Sequence, residues 1–196
     1  EIDILRGPIT EEVLLPIIQD YDAVICGDDE YTREVLEKGK NGKLKFISKY
    51  GVGLDKMDLV AAKDLGIPVT NCPGVNQVSV AEHVLALLFT FEKNIHLQYE
   101  TTKNGSWKRY TGNEIEGKNI GIIGLGAIGK ELSKKANALG MHVTAFDLFK
   151  NDEFLKANPE IKFTTDVNEI FETSDVISLH VPHTPQTENI ISREVV

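Results

Sequence analysis

The run Gly124-Leu125-Gly126-Ala127-Ile128-Gly129 constrains this chain more than any other feature. It is a G-x-G-x-x-G segment in the setting that gives the pattern meaning. Before it, Lys118-Asn119-Ile120-Gly121-Ile122-Ile123 is a short apolar run suited to a buried parallel strand. After it, residues 130–139 carry Leu132, Ala136 and Leu139 at helical spacing. His142-Val143-Thr144-Ala145-Phe146 then predicts a second strand, ending on Asp147, 21 residues after Gly126. Strand, glycine turn, helix, strand and terminal acid together predict a dinucleotide site. Gly124 permits the tight turn, Gly126 lets backbone approach a pyrophosphate, and Gly129 lets helix and strand pack closely. The helix N-terminus offers unpaired N–H groups to the phosphates. Asp147 can accept hydrogen bonds from both adenosine ribose hydroxyls, and its charge opposes a 2′-phosphate. The expected cofactor is therefore NAD rather than NADP.

The rest of the chain alternates in the same way. Strands are expected at residues 2–5, 22–26, 44–48 and 67–70, and helices at 10–18, 32–38 and 57–65. Gly66 stops the last of these, and Pro68 suits an edge strand. Ser79 and Glu82 have capping-box spacing and predict the start of a long helix that runs past Ile95 to Asn104-Gly105. A helix at 167–172 and a strand at 175–181 follow the fingerprint. Alternating strands and helices predict parallel sheets covered on both faces.

Composition narrows the partners. The chain has 196 residues, 41% hydrophobic content and a net charge of −9. That acidity argues against nucleic acid and anionic membranes, which need a basic face. The longest apolar stretch, at 84–89, is far too short to span a bilayer. No secretory signal is visible at Glu1-Ile2-Asp3-Ile4. Cys26 and Cys72 have no metal-ligand spacing and are expected to be reduced, as in a cytoplasmic protein, and no metal is expected.

Further segments fall in one order. Ser48-Lys49-Tyr50-Gly51-Val52-Gly53-Leu54-Asp55 leads into Asp55-Lys56-Met57-Asp58. Asn71-Cys72-Pro73-Gly74-Val75-Asn76 precedes Ser79-Val80-Ala81-Glu82-His83. Gly105-Ser106-Trp107, Gly117-Lys118, the fingerprint and Leu179-His180-Val181-Pro182-His183-Thr184-Pro185 follow. In these motifs the chain resembles the D-2-hydroxyacid dehydrogenases, nearest to the phosphoglycerate dehydrogenase and hydroxypyruvate/glyoxylate reductase types. The resemblance implies an α/β fold of two Rossmann-like or flavodoxin-like doubly wound parallel-sheet domains joined by a long interdomain helix. Both domains are incomplete in this chain, with a partial substrate domain at 1–91 and a partial NAD-binding domain at 92–196.

It also implies roles. Val52 and Gly53 face the substrate carboxylate with backbone N–H groups, and Val52 borders the nicotinamide. Asn76 lines the cleft. Ala127 and Ile128 give N–H groups to the pyrophosphate, and Asp147 holds the ribose. His180, Val181 and Pro182 border the adenine-side pocket. The family's catalytic arginine, glutamate and histidine come after the region resembling 180–185, so they are expected beyond Val196. The chain looks trimmed at both ends and is expected to be inactive alone. The other candidates are weaker: His83 is expected to be structural, Lys49 and Arg109 solvated charges, and Glu82 a helix cap. The implied reaction of the full-length protein is hydride transfer between NAD(H) and a small 2-hydroxy or 2-keto acid, in a cytoplasmic homodimer. The alternatives are an NAD(H)-sensing corepressor-like scaffold and a formate dehydrogenase-like enzyme.

Overall fold

The computed structural model describes residues 2–193 and Val195. The chain forms two compact units, Glu1–Val75 and Asn76–Val196.

In unit 1 a one-turn helix α1 (Glu11–Leu14) and a 3-10 turn (Ile18–Asp20) precede β1 (Ala23–Cys26), α2 (Arg33–Asn41), β2 (Phe46–Lys49), α3 (Leu59–Asp64) and β3 (Val69–Thr70). The strands are parallel in the order β1-β2-β3. Thr32 Oγ1 caps α2 by accepting from the Val35 N–H, and Asp58 Oδ1 caps α3 by accepting from the Ala61 N–H. Their apolar faces close a core around Tyr31, Val35, Leu36, Ile47 and Ala61. Two expectations change here. Residues 2–5 pair with no strand. The helix expected to reach Ile18 ends before Pro16, which lacks the N–H that would continue it.

Unit 2 opens with α4 (Gln77–Glu92) and α5 (Ile95–Lys103). Then come β4 (Asn119–Ile123), α6 (Ala127–Ala138), β5 (His142–Phe146), α7 (Asp152–Ala157), β6 (Lys162–Thr164), α8 (Val167–Thr173) and β7 (Val176–Leu179). All four strands are parallel, in the order β6-β5-β4-β7. Chain order runs outward from β4 to β6, then returns to the far side of β4. That is the Rossmann arrangement, with its topological switch point between β4 and β7. Ile120 and Ile122 meet α6 and α4 through Leu132, Ala136, Ala81 and Leu85. Gly121, of opposite parity, lies against Ile170 and Ser174 of the α8 region. Helices therefore cover both faces.

The boundary expected at 91/92 falls at 75/76, because α4 buries Ala81, Leu85 and Leu88 in the core of unit 2. The long connecting helix is two helices. Asn94 takes a left-handed conformation (φ 55°) between them, and its side-chain amide donates to the Thr111 carbonyl. α4 starts at Gln77, so Ser79 lies inside the helix and Glu82 bonds Lys135 instead of closing a capping box. α7 and β6 have no counterpart in the sequence reading.

Candidate active site

The dinucleotide fingerprint folds at the carboxyl edge of the unit 2 sheet. The three glycines meet three different constraints. Gly124 has φ +102°, and a Cβ there would lie 2.5 Å from the His180 carbonyl oxygen. A Cβ on Gly129 would fall on the Gly124 carbonyl, so helix and strand approach as closely as backbone allows. Gly126 is the reverse case: a Cβ there would meet nothing within 4 Å. Gly126 is also the N-cap of α6 with no side-chain cap, so the N–H groups of Ala127 and Ile128 head a helix whose first turn lacks internal acceptors. Open space in front of Gly126, backed by those amides, fits a pyrophosphate.

Asp147 follows β5 and is bound into the loop. Its Oδ2 accepts from the Leu125 N–H at 2.7 Å and its Oδ1 from the Phe149 N–H at 3.0 Å. A carboxylate has about four acceptor positions, so lone pairs remain beyond these two bonds. Sequence reasoning expected a ribose role for Asp147 and did not foresee the bond that fixes the x of G-x-G. His180 leaves β7 beside this loop, and its N–H donates to the Ile123 carbonyl at 2.7 Å. Its Nε2 lies 2.9 Å from Ser178 Oγ, and burial pushes the imidazole pKa below its ordinary value. Val181 is half-buried and Pro182 exposed. Gly124, Gly126, Ala127, Ile128, Gly129, Asp147 and His180 thus lie on one edge, beside the switch point where ligands bind in open α/β sheets.

The second candidate loop follows β2 in unit 1. Gly51 has φ +148°, which favours glycine. The Gly51 carbonyl accepts from the Cys72 N–H at 2.9 Å, and the Val52 carbonyl from Asn71 Nδ2 at 2.8 Å. Both bonds hold the carbonyls toward the protein. The N–H groups of Val52 and Gly53 have no acceptor among the described residues. A pair of unspent amides beyond a parallel strand, Val52 half-buried and Gly53 exposed, can receive an anion.

Asn76 is the N-cap of α4, half-buried, and its side chain makes no hydrogen bond among the described residues. It belongs to unit 2. Lys49 is not a solvated charge. It is 6% exposed, and its ammonium donates to the Gly27 carbonyl and to Asp28 Oδ1, each at 2.5 Å. His83 is exposed and bonds no backbone group among the described residues. Arg109 is exposed. No helix of the described residues is long and apolar enough to cross a membrane.

A family model described as D-isomer specific 2-hydroxyacid dehydrogenase, NAD binding domain, matches residues 85–196. D-3-phosphoglycerate dehydrogenase of Methanocaldococcus jannaschii is 39% identical to the chain, over 99% of the chain and 37% of that protein. Hydroxypyruvate reductase of Thermotoga maritima is 37% identical, over 99% of the chain and 62% of that protein. The crystal structure of the TT0316 protein from Thermus thermophilus matches with a TM-score of 0.86 at 31% identity, over 100% of this chain and 62% of that one. The chain thus spans 37–62% of the length of these two curated relatives. With the fingerprint, the strand order and a family match over more than half its length, the chain belongs to the D-isomer specific 2-hydroxyacid dehydrogenase family, and its second unit carries that family's NAD-binding domain.

Proposed function

We propose that the full-length protein transfers a hydride between NAD(H) and a small D-2-hydroxy or 2-keto acid of the phosphoglycerate, hydroxypyruvate or glyoxylate type. The observation that carries this reading is the unspent amide pair of Val52 and Gly53, at the carboxyl edge of one unit in a chain whose other unit is an NAD-binding domain. Gly126, Ala127 and Ile128 hold the pyrophosphate, Asp147 the adenosine ribose, and His180, Val181 and Pro182 border the adenine side. Bound NAD(H) supplies the hydride chemistry.

The Val52 and Gly53 N–H groups fix the substrate carboxylate, and the Val52 side chain borders the nicotinamide. Asn76, with its amide free, contributes to the substrate cleft. Backbone donors suit this task because they are already oriented and lose no side-chain freedom on binding. An arginine that polarises the reacting oxygen, and a histidine held protonated by a glutamate, belong to the part of the family pattern that follows this chain. The same reading includes a homodimer. Phe91 on α4, Tyr99 on α5 and Trp107 are exposed apolar side chains suited to a second copy.

The test is NADH oxidation by the full-length protein with glyoxylate, hydroxypyruvate and 3-phosphohydroxypyruvate. Turnover with at least one is expected, and the 196-residue chain alone should show none. Protein that binds NADH tightly yet reduces no 2-keto acid would refute the assignment.

A further inference from the structure

The amide loop of unit 1 has a charged neighbour that bears on which acid it takes. β1 and β2 are parallel, with Cys26 opposite Lys49. Gly27-Asp28 and Tyr50-Gly51 therefore leave the sheet side by side at its carboxyl edge. The Lys49 stem runs directly beneath the loop, since a Cβ on Gly51 would lie 3.2 Å from Lys49 Cε. Its ammonium is buried and spent on the Gly27 carbonyl and Asp28 Oδ1. Only 7% of the Lys49 side chain is accessible, against 85% of the Asp28 side chain. An arriving ligand thus meets the carboxylate and not the ammonium.

Most cations near this edge, among the described residues, are committed; the exception is Arg6, exposed beside the Gly7 that packs on Asp29, and it forms no ion pair among them. Lys56 Nζ pairs with Glu30 Oε1 at 3.2 Å. Arg33 is engaged by Glu37, Asp58 and Asp64. Lys45 precedes β2, at the opposite edge, and pairs with Asp22. Asp29 spends its carboxylate on the Ile9 and Gly27 N–H groups, and Asp55 is exposed. The amides of Val52 and Gly53 can neutralise one carboxylate. A phosphate ester would bring about −1.5 to −2 further charges and calls for arginine or lysine donors.

We infer that Asp28, anchored by Lys49, makes this edge select 2-keto acids whose far end is uncharged and reject phosphorylated ones. The inference rests on the function proposed above and narrows its substrate class to the hydroxypyruvate or glyoxylate type. Lys49 also holds the Asp28 carboxyl below the usual carboxylate range, so Asp28 remains ionised at neutral pH. Its Oδ2 has no partner among the described residues and offers an acceptor to a substrate hydroxyl. A like charge set against a ligand costs affinity and thereby discriminates.

The experiment compares kcat/KM for hydroxypyruvate and 3-phosphohydroxypyruvate, which differ only in the phosphate, using full-length protein at saturating NADH. The unphosphorylated acid should be preferred by about tenfold or more, the factor that one modest electrostatic term produces. Asp28→Asn keeps an oxygen for Lys49 and removes the charge. It should shift the ratio about tenfold toward the ester through the ester's KM, without change in the KM for NADH. Raising the salt from about 0.05 to 0.5 M should narrow the wild-type ratio in the same direction. A wild-type preference for the ester would overturn the inference and leave the proposed reaction standing. So would an Asp28→Asn variant that moves both acids equally, the mark of a merely structural role. Reduction of neither acid by NADH-binding protein would overturn the reaction itself.

Discussion

Replacing Asp147 by alanine tests two roles of one carboxylate. Its Oδ1 bond goes to Phe149, which is 82% exposed, so water can take over that N–H. Its Oδ2 bond goes to the N–H of Leu125, which is 4% exposed. A buried donor left without a partner costs about 1–3 kcal/mol, or about 5- to 150-fold in an equilibrium constant. Leu125 stands between Gly124 and Gly126, so the loss falls on the loop that faces the pyrophosphate and weakens both cofactors. NADH also loses its ribose acceptor, whereas NADPH loses a repulsive neighbour. The alanine variant should therefore have a lower Tm, bind NADH more weakly by about tenfold or more, and discriminate less against NADPH. Asp147→Asn separates the roles. It keeps an oxygen for the Leu125 N–H and removes the charge, so Tm should stay nearer wild type while the preference still narrows. Thermal unfolding and fluorescence titration of both cofactors on full-length protein give the answer. An alanine variant with unchanged Tm and unchanged NADH affinity would refute the reasoning, as would wild-type protein that binds NADPH as tightly as NADH.

The other glycine positions should respond in opposite ways. Gly129→Ala drives a methyl group into the Gly124 carbonyl and should destabilise the protein by about 1–3 kcal/mol, read as a drop in denaturant midpoint. Gly126→Ala meets no protein atom. It should leave the denaturation midpoint in place and weaken NADH by filling the pyrophosphate space. Gly53→Val should raise KM for the 2-keto acid far more than KM for NADH, and an effect confined to NADH would show the carboxylate assignment to be wrong. His180 predicts a pH dependence. Its folded pKa lies below the ordinary 6.5, so on acidification the unfolded chain takes up the proton first. The stability from burying the neutral ring is complete above about pH 6.5 and falls as the pH drops below it. His180→Asn should flatten that part of the profile in pH-dependent unfolding.

Elements specified by local sterics or burial were readable from sequence. β5 runs from His142 to Phe146 as expected, because its buried Val143 and Ala145 alternate with less buried neighbours, a period-2 pattern readable in sequence. The glycines at 124 and 129 were legible for a related reason: each answers a contact a Cβ would violate. Long-range choices were hidden. Ser79 and Glu82 had the spacing of a cap, yet Glu82 was drawn to Lys135, 53 residues away. The break at Asn94 depends on the Thr111 carbonyl that receives its amide. Lys49 read as a surface charge because nothing local shows that β1 brings Gly27 and Asp28 beside it. The amide pair at Val52 and Gly53 came from family resemblance, and the structure adds why it is free: the Asn71 amide and the Cys72 N–H hold the neighbouring carbonyls inward.

The strand order of unit 2 also fixes the order in which its parts can form. Ile120 pairs with Val143 on one side of β4 and with Val176 on the other. The bonds joining Asn119 to Asp175 span 56 residues, more than twice the separation across β4 and β5. Closing the longer loop costs more chain entropy, though only about 0.6 kcal/mol for each doubling of length. The larger penalty is kinetic, since non-local pairings slow folding, and on the ribosome β4, α6, β5 and β6 emerge before β7 does. The turn bearing Gly124 and the Asp147 latch can thus assemble while the neighbouring wall is still missing. His180, Val181 and Pro182 arrive with β7, so that side of the crevice forms only after β4, α6 and β5 are in place.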